Sequence, residues 1–132
     1  MSKENVEIVR ESIDAWNRRD LDAMLVSLHQ DLVVRPYPGW PEAEIVGRDA
    51  YARVLTDMHD GFERTRFDLR DVIDINDDRV LVEAEWRGTP RGGGGEIHAF
   101  GVGVFELQEG RVIHAAFFRD RDQALEAARP SE

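Results

Sequence analysis

Residues 78–119 read DRVLVEAEWRGTPRGGGGEIHAFGVGVFELQEGRVIHAAFFR. Val80, Val82, Ala84 and Trp86 alternate with Leu81, Glu83, Glu85 and Arg87. A period of two marks a strand with one buried face. Glu96 to Leu107 forms a longer run of the same kind, and Gln108-Glu109-Gly110 turns it into Val112 to Arg119. Gly92 to Gly95 lie between two runs and read as a flexible hairpin loop. A phosphate cradle would need a following helix and a Lys-Ser/Thr pair, and this segment has neither. Just upstream, Phe67, Leu69, Ile73 and Ile75 mark a further strand, with Asn76-Asp77-Asp78 as the turn. The second half of the chain is therefore an antiparallel meander.

The first half is helical. Val6, Val9, Ile13 and Trp16 recur at steps of three and four, one face of a helix. Asp20 is placed to cap a second helix whose stripe is Leu21, Met24, Leu25 and Leu28. Leu32 to Tyr37 reads as a short strand, followed by a loop rich in Pro and Gly through Gly47. A third helix carries Tyr51, Val54, Leu55, Met58 and Phe62, with Gly61 as its stop. A last helix from about Arg121 to Arg129 is capped by Asp120 or Asp122, and Pro130 follows its end. Helices followed by a meander make an α+β domain.

The 132 residues predict one domain, 1–132. With 17 basic and 27 acidic residues the formal charge is -10, which argues against nucleic acid or an anionic membrane as partner. The chain has no cysteine, which excludes disulfides, thiolate catalysis and Cys-ligated zinc. The N-terminus carries charges throughout, and no run approaches the roughly 20 apolar residues that span a bilayer, so a cytoplasmic protein is expected.

Two blocks carry a family resemblance. One runs from Val6-Glu7-Ile8-Val9 through Ala15-Trp16-Asn17-Arg18-Arg19-Asp20-Leu21-Asp22-Ala23, the other from Glu109-Gly110-Arg111-Val112-Ile113 through Phe118-Arg119-Asp120-Arg121-Asp122-Gln123-Ala124-Leu125-Glu126-Ala127. Gly47-Arg48-Asp49 and Asp78 to Val82 lie between them. In this order they resemble the SnoaL-like branch of the nuclear transport factor two-like superfamily, which includes the ketosteroid isomerases. The resemblance implies a cone-shaped barrel: three N-terminal helices packed on a strongly curved mixed or antiparallel sheet, with a short C-terminal helix. It also implies a homodimer through the outer sheet face. It does not imply one activity, because relatives include isomerases, cyclases, hydrolases and non-catalytic modules.

Ketosteroid isomerase, a worked case of pKa tuning, uses an Asp base and an oxyanion hole of a Tyr and a protonated Asp. By resemblance these roles fall near Pro36, Ser12 and Gly103, and none of the three residue types is retained. Catalytic residues are therefore unassigned. The remaining expectation is a pocket for a small apolar molecule, without cofactor, serving either a cofactor-independent isomerase, cyclase or hydrolase-type enzyme or a non-catalytic dimeric binding module.

Trp16, Leu55, Met58, Trp86 and Phe117 are expected to line that pocket from the apolar stripes of their elements. Tyr37 and Trp40 bracket Pro38-Gly39 and suit a lid at the cavity mouth. Arg119 shares a strand face with Phe117 and could hold a carboxylate or enolate, or pair with Asp120 or Asp122. His98 follows Glu96 by two and could be an imidazole oriented for base chemistry. Its place depends on register. In one register His98, Phe100 and Val102 share the face of Trp86; in the family's, Gly101, Gly103 and Phe105 point inward. No two of the four histidines stand at i, i+4 or i, i+2, so no local zinc motif is present and no metal is expected.

Overall fold

The structure is a computed structural model that describes residues 2–37, 40–76 and 78–128. Its elements are α1 (Ser2–Asn17), α2 (Leu21–Val26), β1 (Leu28–Arg35), β2 (Ile45–Val46), α3 (Arg48–Gly61), β3 (Phe62–Asn76), β4 (Arg79–Pro90), β5 (Ile97–Gln108), β6 (Arg111–Phe118) and α4 (Arg121–Ala127). The six strands form one sheet in the order β2-β1-β6-β5-β4-β3. The β3 to β6 meander is antiparallel, and β1 joins it in parallel beside β6, so the sheet is mixed. Asp77, Pro38, Gly39, Arg129 and Pro130 lie outside the described residues.

Register shifts recur along β3 and once between β5 and β6. Each extra residue bends its strand and increases the local twist. The resulting sheet curves around its helices as the expected cone. At Glu109 and Gly110, φ is 52° and 78°, and this pair of positive values makes the tight β5–β6 turn.

One core fills the concave side. Val9 of α1, Leu28, Leu32 and Val34 of β1, Val80 and Val82 of β4 and Leu107 of β5 are buried together. A second cluster lies on the outer face, where Ala124 and Ala128 pack α4 and its C-cap on Leu81, Val102 and Val104. Asp120 caps α4 by accepting from the Gln123 N–H at 2.9 Å. Arg121 then ties the helix to Asp71 and Glu83. Asp120→Ala is expected to cost about 1 kcal/mol in urea denaturation, the usual worth of such a cap. An unchanged midpoint would mean that packing alone holds α4.

Three local expectations need correction. Leu28 is not on the α2 stripe; it begins β1 as a buried core residue, because the Val112 N–H already pairs with the Ser27 carbonyl at 2.8 Å. The Pro-rich loop contains a two-residue strand, β2. In β3, Leu69 pairs with Ala84 but Asp71 pairs with Glu83, so Arg70 is an extra residue that changes the parity. Val72 consequently joins Phe67 and Leu69 inside, while Ile73 and Ile75 pack into the outer cluster.

Candidate functional site

The register of β5 decides what faces the helices. Trp86 pairs with Ala99, Ala84 with Gly101 and Val82 with Gly103, and Gly103 in turn pairs with Phe117 of β6. Paired residues share a sheet face, so Gly101 and Gly103 point inward, as in the family's register. Ala84, Gly101 and Gly103 thus form a strip of small residues on the concave face. Aromatic groups border it.

On one border Tyr37, just past β1, stacks on Phe117 with ring centroids 5.8 Å apart, and Phe105 meets Phe117 edge-on at 5.8 Å. A Cβ on Gly101 would overlap the Tyr37 hydroxyl. One on Gly103 would come within 3.0 Å of Phe105 and 3.1 Å of Phe117. The glycines are therefore the seats of these rings. Burial pushes the Tyr37 phenol above its usual range.

On the other border Trp86 donates its indole N–H to Thr65 Oγ1 at 2.6 Å and meets Phe62 edge-on at 5.0 Å. Phe67, the cross-strand neighbour of Trp86, leads to Trp16 at 5.9 Å. Trp16 is fully buried at the end of α1. The Asn17 side chain fixes that end by donating to the Phe67 carbonyl at 3.0 Å and accepting from the Phe67 N–H at 2.9 Å.

His59 completes this group. Its ring stacks on Trp16 at 3.8 Å with 28° between the planes, and it is 5% exposed. Arg19 donates to the His59 carbonyl at 2.6 Å. Burial, then the Arg19 charge, lower the imidazole pKa below the usual histidine range, against a hydrogen bond to the Trp16 carbonyl and the charge of Asp60. Between about 6.5, the unfolded value, and the lower folded one, the unfolded chain binds a proton that the fold refuses. This part of the stability is therefore whole above about pH 6.5 and declines as the pH falls through that window. Thermal melts from pH 8 to 5 are expected to show a decline that His59→Phe shrinks. An equal decline in both proteins would exclude His59 as its source.

Of the residues expected to line a pocket, Trp16, Tyr37, Trp86 and Phe117 stand in these concave-face groups. Leu55 is buried on α3 one turn before His59, and Met58 is half-buried beside it. Trp40 is 41% exposed, its backbone N–H on the Tyr37 carbonyl at 3.0 Å. Arg119 lies exposed in the bend after β6, and no ion pair joins it to Asp120 or Asp122 among the described residues. His98 needs correction. It pairs with Arg87 across β4, which places it on the outer face. There Nε2 meets Glu96 at 2.8 Å and Nδ1 meets Glu85 at 3.9 Å. The glutamate orients it as expected, but on the side away from Trp86.

Around His98, Arg87 pairs with Glu85 and Asp68, Arg66 with Asp68, and Arg70 with Glu85. These are largely exposed pairs, each of small worth. Two surface concavities lie elsewhere: about 460 Å³ between α1, α2 and the β5–β6 turn, bordered by Ile8, Ser12, Val26 and Gly110, and about 390 Å³ against α3 and β2, bordered by Glu44, Val46 and Arg53. Among the described residues no group of three or more His, Asp or Glu could hold a metal ion, and no helix is long and apolar enough to cross a membrane.

His59 is the residue that sequence reading missed. Its signal was present: Tyr51, Leu55 and His59 stand at steps of four on α3, so a stripe read as apolar carries a histidine into the interior.

A family model described as the SnoaL-like domain matches residues 9–115. No curated protein matches the sequence. Among solved structures, the chain is 26% identical to a candidate polyketide cyclase from Xanthomonas campestris pv. campestris, over 95% of this chain and 96% of that one, with a TM-score of 0.72. It is similar in fold to TerC, co-crystallised with polyporic acid, at 19% identity over 93% and 96% of the chains and a TM-score of 0.75. The corresponding values for an LEH-like epoxide hydrolase of M. tuberculosis are 23%, 89%, 84% and 0.70.

Proposed function

The chain belongs to the SnoaL-like family, and from that premise we propose that it takes a small apolar, ring-bearing molecule against the concave face and carries out cofactor-independent isomerase-, cyclase- or hydrolase-type chemistry on it. The observation that carries this reading is the pair of aromatic groups on the concave face, Tyr37, Phe105 and Phe117 seated over Gly101 and Gly103 on one side and Trp86 with Phe62 and Phe67 on the other. Flat rings are bound well by such surfaces, through area and offset stacking. The candidate polyketide cyclase at 26% identity and the co-crystallised TerC support the class of molecule. The chemistry differs from that of ketosteroid isomerase, since Pro36, Ser12 and Gly103 supply neither its carboxylates nor its phenol.

A binding module without chemistry is the second reading. Phe100 on the outer sheet face is 48% exposed and Leu125 on α4 41%, and these apolar side chains favour a homodimer through that face.

A small cyclic ketone separates the two. With 2-tetralone in D2O, proton NMR is expected to show exchange of the α-protons accelerated about a hundredfold or more over buffer, the scale of general acid–base catalysis. Exchange at the buffer rate with the ketone bound would overturn enolising chemistry at this site and favour the module.

A further inference from the structure

Polar groups around Trp16 are almost all engaged. The Asn17 amide is used on both sides by the Phe67 backbone, Arg19 holds the His59 carbonyl, and the Trp86 indole has Thr65. Two atoms remain. Trp16 Nε1 and His59 Nε2 are buried and have no hydrogen-bond partner. Buried polar atoms left unpaired are uncommon and costly. Here they belong to two rings stacked at 3.8 Å, one from α1 and one from α3, both elements packed on β3.

Their characters are complementary. An indole N–H can only donate. With the ring proton on Nδ1, Nε2 of the neutral imidazole is a bare lone pair. A hydroxyl is the small group that accepts from one and donates to the other. A ketone answers only the indole. A carboxylate would bring an unpaired charge into an apolar interior.

We propose that Trp16 Nε1–H and His59 Nε2 form a donor–acceptor site for the hydroxyl of a phenol or enol whose ring lies toward Phe67 and the concave face. The site rests on the small-molecule reading above and adds the polar group that such a ligand must carry.

The test compares 2-naphthol with naphthalene by calorimetry. The wild-type protein is expected to bind the naphthol at least tenfold more tightly. In His59→Phe, which keeps a flat ring on Trp16, the two affinities should fall within about threefold of each other. Should that variant fail to fold, nitrogen-15 NMR of the wild-type protein decides. The bare Nε2 resonance of His59 moves when naphthol is added and stays still with naphthalene. Naphthalene bound as tightly as naphthol, or an Nε2 signal indifferent to naphthol, would mean that the pair holds only a buried water, overturning the inference while leaving the small-molecule reading intact. If neither compound binds, the small-molecule reading fails first and the inference with it.

Discussion

Trp16→Ala lowers the free energy of unfolding by about 3–5 kcal/mol, the range for removing a fully buried large aromatic. The indole has no exposed surface, and it supports the His59 ring on one side and Phe67 on the other. The backbone cannot close the gap, because Asn17 pins the end of α1 to β3 through two hydrogen bonds. Trp86→Ala should cost less, since Trp86 is only half-buried. Urea denaturation followed by circular dichroism measures both. A loss below about 1 kcal/mol for Trp16→Ala would show that helix and sheet can collapse onto the site after all.

Gly101→Val expels Tyr37 from the concave face. The added Cβ would take the place of the Tyr37 hydroxyl, and β5 cannot yield easily because Gly101 sits in a paired stretch opposite Ala84. Overpacking of this kind costs about 1–3 kcal/mol. Two readouts follow. The Tyr37 phenol, raised by burial, returns toward its ordinary value of about 10 in an ultraviolet titration. Combined with Tyr37→Ala, the valine becomes nearly harmless, a coupling of about 1 kcal/mol or more. Additive effects of the two substitutions would show that Tyr37 does not occupy Gly101's side of the sheet.

What could be read from the sequence followed the strength of local pattern. The alternation of Val80 to Trp86, the steps of three and four in α1 and the cap at Asp20 are short-range signals, and α1, α2 and β4 form where they point. Inward Gly101 and Gly103 were legible only through family resemblance, since alternation alone allowed His98 to face either way. The bulge at Arg70 left no mark, because Ile73 and Ile75 suit a buried face on either side of the sheet. The seat of Tyr37 on Gly101 joins distant parts of the chain, so no window of sequence contains it. His59 was within reach from its spacing on α3, yet its stacking on Trp16 depends on how α1 and α3 each pack on β3.

The most direct measurement is a heteronuclear NMR titration with naphthalene that locates the bound ring. The largest shifts are expected at the backbone amides of Ala84, Gly101 and Gly103 and at the Trp16 indole. Shifts concentrated instead at Ile8, Val26 and Gly110 would place the ligand in the outer groove between α1 and α2, and would contradict a binding site on the concave face.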